Sequence, residues 1–197
     1  MKEDANQQPI DNEEPEETAG YQKPQEKSLD EIKNLDADDE SLVKYKETLL
    51  AGRDANSNSD DPRRVIVERM VFLSEGRDDI SLDLTGDLTK LKNEPIIVKE
   101  GAEYRIKIVF RIQHEIVSGL RYHHSVSRKG ITTDKQSYMV GSYPPKSEPH
   151  EYTSPTDEAP RGMLARGHYK IKSKFIDDDK NVHLQWEWSM DIKKDWE

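Results

Sequence analysis

Residues 182–192, VHLQWEWSMDI, alternate apolar and polar side chains without a break. Val182, Leu184, Trp186, Trp188, Met190 and Ile192 point one way, and His183, Gln185, Glu187, Ser189 and Asp191 the other. A period of two belongs to a half-buried strand and not to a helix, so this stretch requires a sheet with one covered face and one wet face. Two further stretches repeat the pattern. EYRIKIVFRI sets Tyr104, Ile106, Ile108, Phe110 and Ile112 against Arg105, Lys107 and Arg111. HYKIKSKFI sets Tyr169, Ile171 and Phe175 against Lys170, Lys172 and Lys174. Additional strands are expected over 65–73, 80–84, 96–98, 116–122 and 137–140, and FIDDDKNVHL reads as a hairpin connection. Many short antiparallel strands with no helical pattern between them predict an all-β sandwich.

The chain before position 61 is of another kind. Residues 1–60 hold seventeen Asp and Glu against seven Lys and Arg, whereas residues 61–197 hold twenty-three of each. Twelve of the fourteen aromatic residues also lie after position 60. An acidic segment this poor in apolar residues cannot bury enough surface to offset chain entropy, so residues 1–60 are expected to form a flexible arm on a folded body at 61–197. Two short helices are expected within the arm, near 28–35 and 39–50. Ser28 and Glu31 have capping-box spacing, and Leu42, Tyr45 and Leu49 recur at helical spacing before Gly52. Helices this short are marginal alone, so their apolar stripe needs a surface to dock on. RDANSNSDDP, at 53–62, reads as the linker.

Composition excludes several function classes. The chain has no Cys, hence no disulfide framework, thiolate nucleophile or Cys-based metal site. A net charge of −10 disfavours nucleic acid and anionic membranes and favours a basic partner. No apolar run has the length of a signal peptide or a membrane span, so a cytosolic protein without stable membrane insertion is expected. No nucleophile elbow or phosphate-binding glycine loop is present, and no catalytic set can be named. Residues 36–47 carry acids at calcium-loop positions, but Ser41 replaces the required Gly and the stretch reads better as a helix. His123 and His124 are adjacent, so on a strand they face opposite ways and cannot share a metal. By composition, Trp186 and Trp188 fit either plain core or a cavity between the sheets.

Eight blocks in order are more specific: KSLDEIKNLDADDESLVKYKETLL, LDLTGDL, VKEGAEYRIKI, EIVSGLRY, DKQSYMVGSY, EAPRGMLARG, DDDKNVHLQWEW and IKKDW. Over about residues 21–197 they resemble the Rho GDP-dissociation inhibitors. The resemblance implies an immunoglobulin-like β-sandwich behind a regulatory arm, with no enzymatic activity, cofactor or metal. It implies a free monomer that takes one prenylated, GDP-bound Rho, Rac or Cdc-type GTPase, slows its GDP release, and extracts it from membranes into the cytosol. A second reading is a generic prenyl-binding chaperone that solubilises lipid with little regard for the GTPase. By motif position the resemblance assigns Tyr21, Asp39, Ser41, Leu42, Tyr45, Asp134 and Asp179 to the GTPase contact. It assigns Phe72, Ile96, Tyr104, Ile116, Ile171 and Trp188 to a pocket for the geranylgeranyl group, and marks Ser28 as a phosphorylation site. The chain departs from the family pattern at Pro95, Ile96 and His168, where serines or an aromatic are common.

Overall fold

The computed structural model describes Ser41 and residues 61–196. Ser41 is helical and exposed. The rest of the two expected arm helices lies outside the described residues, as do Tyr21, Ser28, Asp39, Leu42 and Tyr45.

Ten strands follow: β1 Val65–Ser74, β2 Ile80–Asp83, β3 Ile96–Lys99, β4 Glu103–Ile112, β5 Val117–Arg128, β6 Ile131–Tyr143, β7 His150–Thr153, β8 Asp157–Glu158, β9 Gly167–Ile176 and β10 Val182–Lys193. They form two five-stranded sheets. The first has the order β2–β1–β4–β7, with β8 also pairing β4, and the second has the order β3–β10–β9–β5–β6. All pairings are antiparallel except β3 with β10, which is parallel and which alternation alone did not foretell. The apolar faces of the two sheets meet in one core that includes Met70, Phe72, Ile108, Phe110, Tyr122, Ile171, Phe175, Trp186 and Trp188.

Local sequence explains much of this pattern. A bulge between Val67 and Arg69 resets the phase of β1, so Val65 and Val67 and then Met70 and Phe72 all reach the core. Lys129 and Gly130 have φ of 50° and 82° and join β5 to β6 in a two-residue turn, as the mirror-image hairpin turns require. Two positions depart from the expected alternation of β10. Val182 is 51% exposed, because a bulge separates it from Leu184. Ser189, expected on the wet face, is fully buried and donates to the Lys92 carbonyl at 3.0 Å. The connection before β3, with its 3₁₀ turn at Leu88–Lys90, covers that part of the outer face. Strands β5 and β6 run well beyond the expected segments, and β7 and β8 were not anticipated.

The register defines two ends of the sandwich. At the first, Ser74 pairs with Tyr104, Tyr104 with Asp157, Met190 with Ile96, Trp188 with Ile171, Ile171 with Val126, and Val126 with Asp134. At the second, Val65 pairs with Ile112 and Ile176 with Arg121, next to the β9–β10 turn at 177–181. Among the described residues no helix is long and apolar enough to cross a membrane.

Candidate functional site

Five of the six residues expected to line a pocket belong to the core at the Tyr104 end. Phe72 and Tyr104 come from the first sheet and are 0% and 8% exposed. Their rings stack at 5.0 Å. Ile96, Ile171 and Trp188 come from the second sheet and are 4%, 1% and 3% exposed. The alternation of β1, β3, β4, β9 and β10 turns these side chains inward. Ile116 is set apart: it precedes β5 at the opposite end, is 38% exposed and lies outside the core cluster.

The wall carries a few hydroxyl and indole groups, and their bonding is specific. Ser173 is fully buried on the apolar face of β9. Its Oγ accepts from Trp188 Nε1 at 3.0 Å and shares a second 3.0 Å hydrogen bond with the Tyr122 hydroxyl. Tyr104 donates its hydroxyl to Asp157 Oδ2 at 2.9 Å. Burial, with the neighbouring Asp157 carboxylate, pushes the Tyr104 phenol well above its ordinary value, and burial does the same to Tyr122. Both therefore stay neutral near pH 7, and Tyr104 acts as a fixed donor to Asp157. Trp186 Nε1 is buried without a partner among the described residues. A wall of this kind can accept an apolar chain and orient one or two polar atoms at its margin. The 390 Å³ groove outside it, lined by Ile66, Glu68, Arg69, Ser81, Asp83 and Thr85, has too much charge for a lipid.

The two acids expected to face a partner do not form one site. Asp134 is on edge strand β6 opposite Val126, where Gln136 Nε2 donates to its two oxygens at 3.4 and 3.3 Å. Asp179 is exposed in the β9–β10 turn, whose Asp178 N–H donates to the Ser118 carbonyl. The length of β5 from Gly119 to Val126 separates these places, roughly 20 Å at about 3.3 Å per residue.

Sequence reasoning passed over Ser173 and Asp157 and weighed His124 only as a partner of His123. Ser173 was detectable as the one polar residue on the apolar face of HYKIKSKFI. Asp157 sits on β8, only two residues long, and no period reveals so short a strand. His124 is 7% exposed, with Nδ1 buried and without a partner among the described residues, while His123 faces the other way, as adjacency required. Burial lowers the His124 pKa, and the carboxylates of Asp134 and Asp157 only partly oppose this.

The sequence profile described as RHO protein GDP dissociation inhibitor matches residues 6–195. The Rattus norvegicus protein named Rho GDP-dissociation inhibitor 1 is 53% identical over 187 residues, spanning 94% of this chain and 91% of its own length. The Homo sapiens protein of the same name is 50% identical over 186 residues, with the same coverage of 94% and 91%. The Schizosaccharomyces pombe Rho GDP-dissociation inhibitor is 44% identical over 174 residues, spanning 87% of this chain and 85% of its own.

Proposed function

The chain belongs to the RHO protein GDP dissociation inhibitor family, and from that premise we propose how it holds its partner. The partner is a prenylated, GDP-bound Rho, Rac or Cdc-type GTPase, taken one to one, lifted from the membrane and kept in the cytosol. The body at 61–197 takes the geranylgeranyl group between its sheets. The arm at 1–60 docks on the GTPase through Tyr21, Asp39, Ser41, Leu42 and Tyr45 and slows GDP release, and a phosphate on Ser28 would weaken or redirect that docking. Asp134 and Asp179, far apart on the body, each suit a basic part of the GTPase.

One observation carries the lipid assignment. Phe72 and Tyr104 on one sheet, and Ile96, Ile171 and Trp188 on the other, make an uncharged wall from both sides of one end of the core. All five are at most 8% exposed, so the lipid enters only as the sheets part there. Burying a CH₂ contributes about 0.8 kcal/mol, so a twenty-carbon chain supplies on the order of 10 kcal/mol, less the cost of separating the walls. Ile116, at the opposite end, meets the lipid only if the chain threads the length of the core. The lipid gives affinity, the arm gives selectivity, and linking them makes the second contact intramolecular.

The test is extraction. Full-length protein is mixed with membranes bearing a geranylgeranylated, GDP-loaded Rho-family GTPase, and the GTPase released to the supernatant is counted. Release by the full chain, reduced when residues 1–60 are removed, supports the two-site reading. Equal release by both would replace it with a generic prenyl carrier. No release from several Rho-family GTPases would refute the lipid assignment.

A further inference from the structure

At the Tyr104 end, a ring nitrogen of His124 and one carboxylate oxygen each of Asp134 and Asp157 lie within 4.8 Å of one another. They come from three strands and both sheets. His124 on β5 and Asp134 on β6 are diagonal neighbours on one face of the second sheet, since His124 pairs with Gln136 and Val126 with Asp134. Asp157 reaches them from β8, which is attached to the first sheet only through β4. His124 is 7% exposed, and its buried Nδ1 has no hydrogen-bond partner among the described residues. A buried ring nitrogen without a partner, on an imidazole set beside two carboxylates, is a costly arrangement for an empty core and an ordinary one for a ligand set.

We propose that His124, Asp134 and Asp157 bind a divalent cation of the zinc class that clips β8 to β5 and β6 across the two sheets. The nitrogen donor points away from calcium and magnesium, which take oxygen ligands, and one imidazole with two carboxylates suits zinc. Three protein ligands leave the fourth position to water, on the side where the two carboxylates reach solvent. Tetrahedral donors about 2.1 Å from the ion stand roughly 3.4 Å apart, so small rotations of the carboxylates complete the geometry. Their present partners permit this. Tyr104 donates to Asp157 Oδ2 and the Glu158 N–H to Oδ1 at 2.8 Å, so each oxygen keeps one lone pair for the ion, and the Gln136 contacts to Asp134 are 3.3 Å or longer.

The experiment uses full-length protein stripped with a chelator and titrated with zinc chloride, followed by calorimetry and thermal unfolding. We expect one zinc per chain and a rise in Tm that a chelator reverses. His124→Gln should bind zinc at least about tenfold more weakly and lose the rise in Tm. Asp134→Asn, a milder change on a partly exposed edge strand, should do the same and carries the test if His124→Gln fails to fold. Cobalt in place of zinc should give visible absorption bands that the variants lack. No zinc-dependent shift in the wild type would overturn the proposal. So would equal uptake by the variants, which would put the metal on another pair such as His168 with Asp191 or His183 with Asp177.

Discussion

The two ends of the sandwich are closed by different chemistry. At the β9–β10 turn, Asp177 is 4% exposed and accepts from Asn181 N at 2.9 Å, Asn181 Nδ2 at 2.9 Å, His183 Nε2 at 3.0 Å and Arg64 Nη2 at 3.4 Å. Arg64 precedes the first sheet and Asp177 follows the last core residue of β9, so this one carboxylate ties both sheets together. Phe110 packs beside it on Phe175 and Tyr143, at 5.2 Å from each ring. At the Tyr104 end the sheets meet mainly through apolar side chains, joined by the Arg77 bond to the Ile97 carbonyl, with one tyrosine–aspartate bond inside the first sheet and, at the margin, a histidine whose Nδ1 has no partner among the described residues. Directional bonds lose most of their energy with small displacements, whereas apolar contacts can be replaced by a guest of similar surface. One end therefore fixes the sheets relative to each other, and the other can exchange its own contacts for those of a lipid.

The largest expected effect is at the exchangeable end. Trp188→Ala removes a side chain that is 3% exposed and costs about 3–5 kcal/mol of stability. It should also weaken binding of the prenylated GTPase far more than binding of the unprenylated form, and Ile171→Ala should do so to a smaller extent. Asp39→Ala, in the arm, should weaken both forms alike. Titrating each variant with both forms of the GTPase checks this, and equal losses for Trp188→Ala would move the lipid elsewhere. At the fixed end Asp177→Ala should have the opposite profile. Stranding the Asn181, His183 and Arg64 donors should cost about 3 kcal/mol in urea unfolding, with the prenylated-to-unprenylated affinity ratio unchanged.

How much of this was legible depended on whether a side chain's role was set by its neighbours in sequence. Strands β4, β9 and β10 could be read from their alternation because each has one face in the core and one in water. Strand β6 is an edge strand whose only buried residue is Val140, so its polar run ITTDKQS carries no period. The parallel pairing of β3 with β10 and the burial of Ser189 are set by long-range contacts that local alternation does not encode. The pocket residues were named by family resemblance, since periodicity marks Trp188 only as inward. The His124 cluster escaped because its three members sit on three strands and meet only once the two sheets pack and bring Asp157 of β8 against β5 and β6.

A smaller effect tests the fixed end through its backbone. Gly119 has φ of +62°, and a Cβ there would fall on the Asp178 carboxylate. The carboxylate is the exposed tip of a short side chain and can swing away, which releases its ion pair with Arg121. What remains is mainly the cost of a left-handed residue, so Gly119→Ala should lose about 1–2 kcal/mol in urea unfolding. A loss near zero would mean that the β9–β10 turn does not depend on the close approach of β5.

The smallest effect is an acid dependence specific to the fixed end. Burial raises the Asp177 pKa, but the hydrogen bonds from His183 and Asn181 outweigh it and hold the carboxyl at about 2, against an ordinary value of 3.8. A carboxylate with a depressed folded pKa contributes stability that is complete above its unfolded value and is lost as pH falls through the folded one. The Asp177 contribution should therefore be constant above about pH 5 and decline between pH 4 and pH 2. Other lowered acids, Asp83, Asp87, Glu100 and Asp195, titrate in the same region, so the wild-type curve alone cannot isolate it. The difference between wild type and Asp177→Asn isolates it, because the amide keeps the shape and one acceptor but cannot titrate. The two stabilities, measured by urea unfolding from pH 7 to pH 2, should converge below pH 4. A gap that persists to pH 2 would mean that the charge on Asp177 does not hold the turn and that its shape and acceptors suffice, leaving the fixed end dependent on packing like the other.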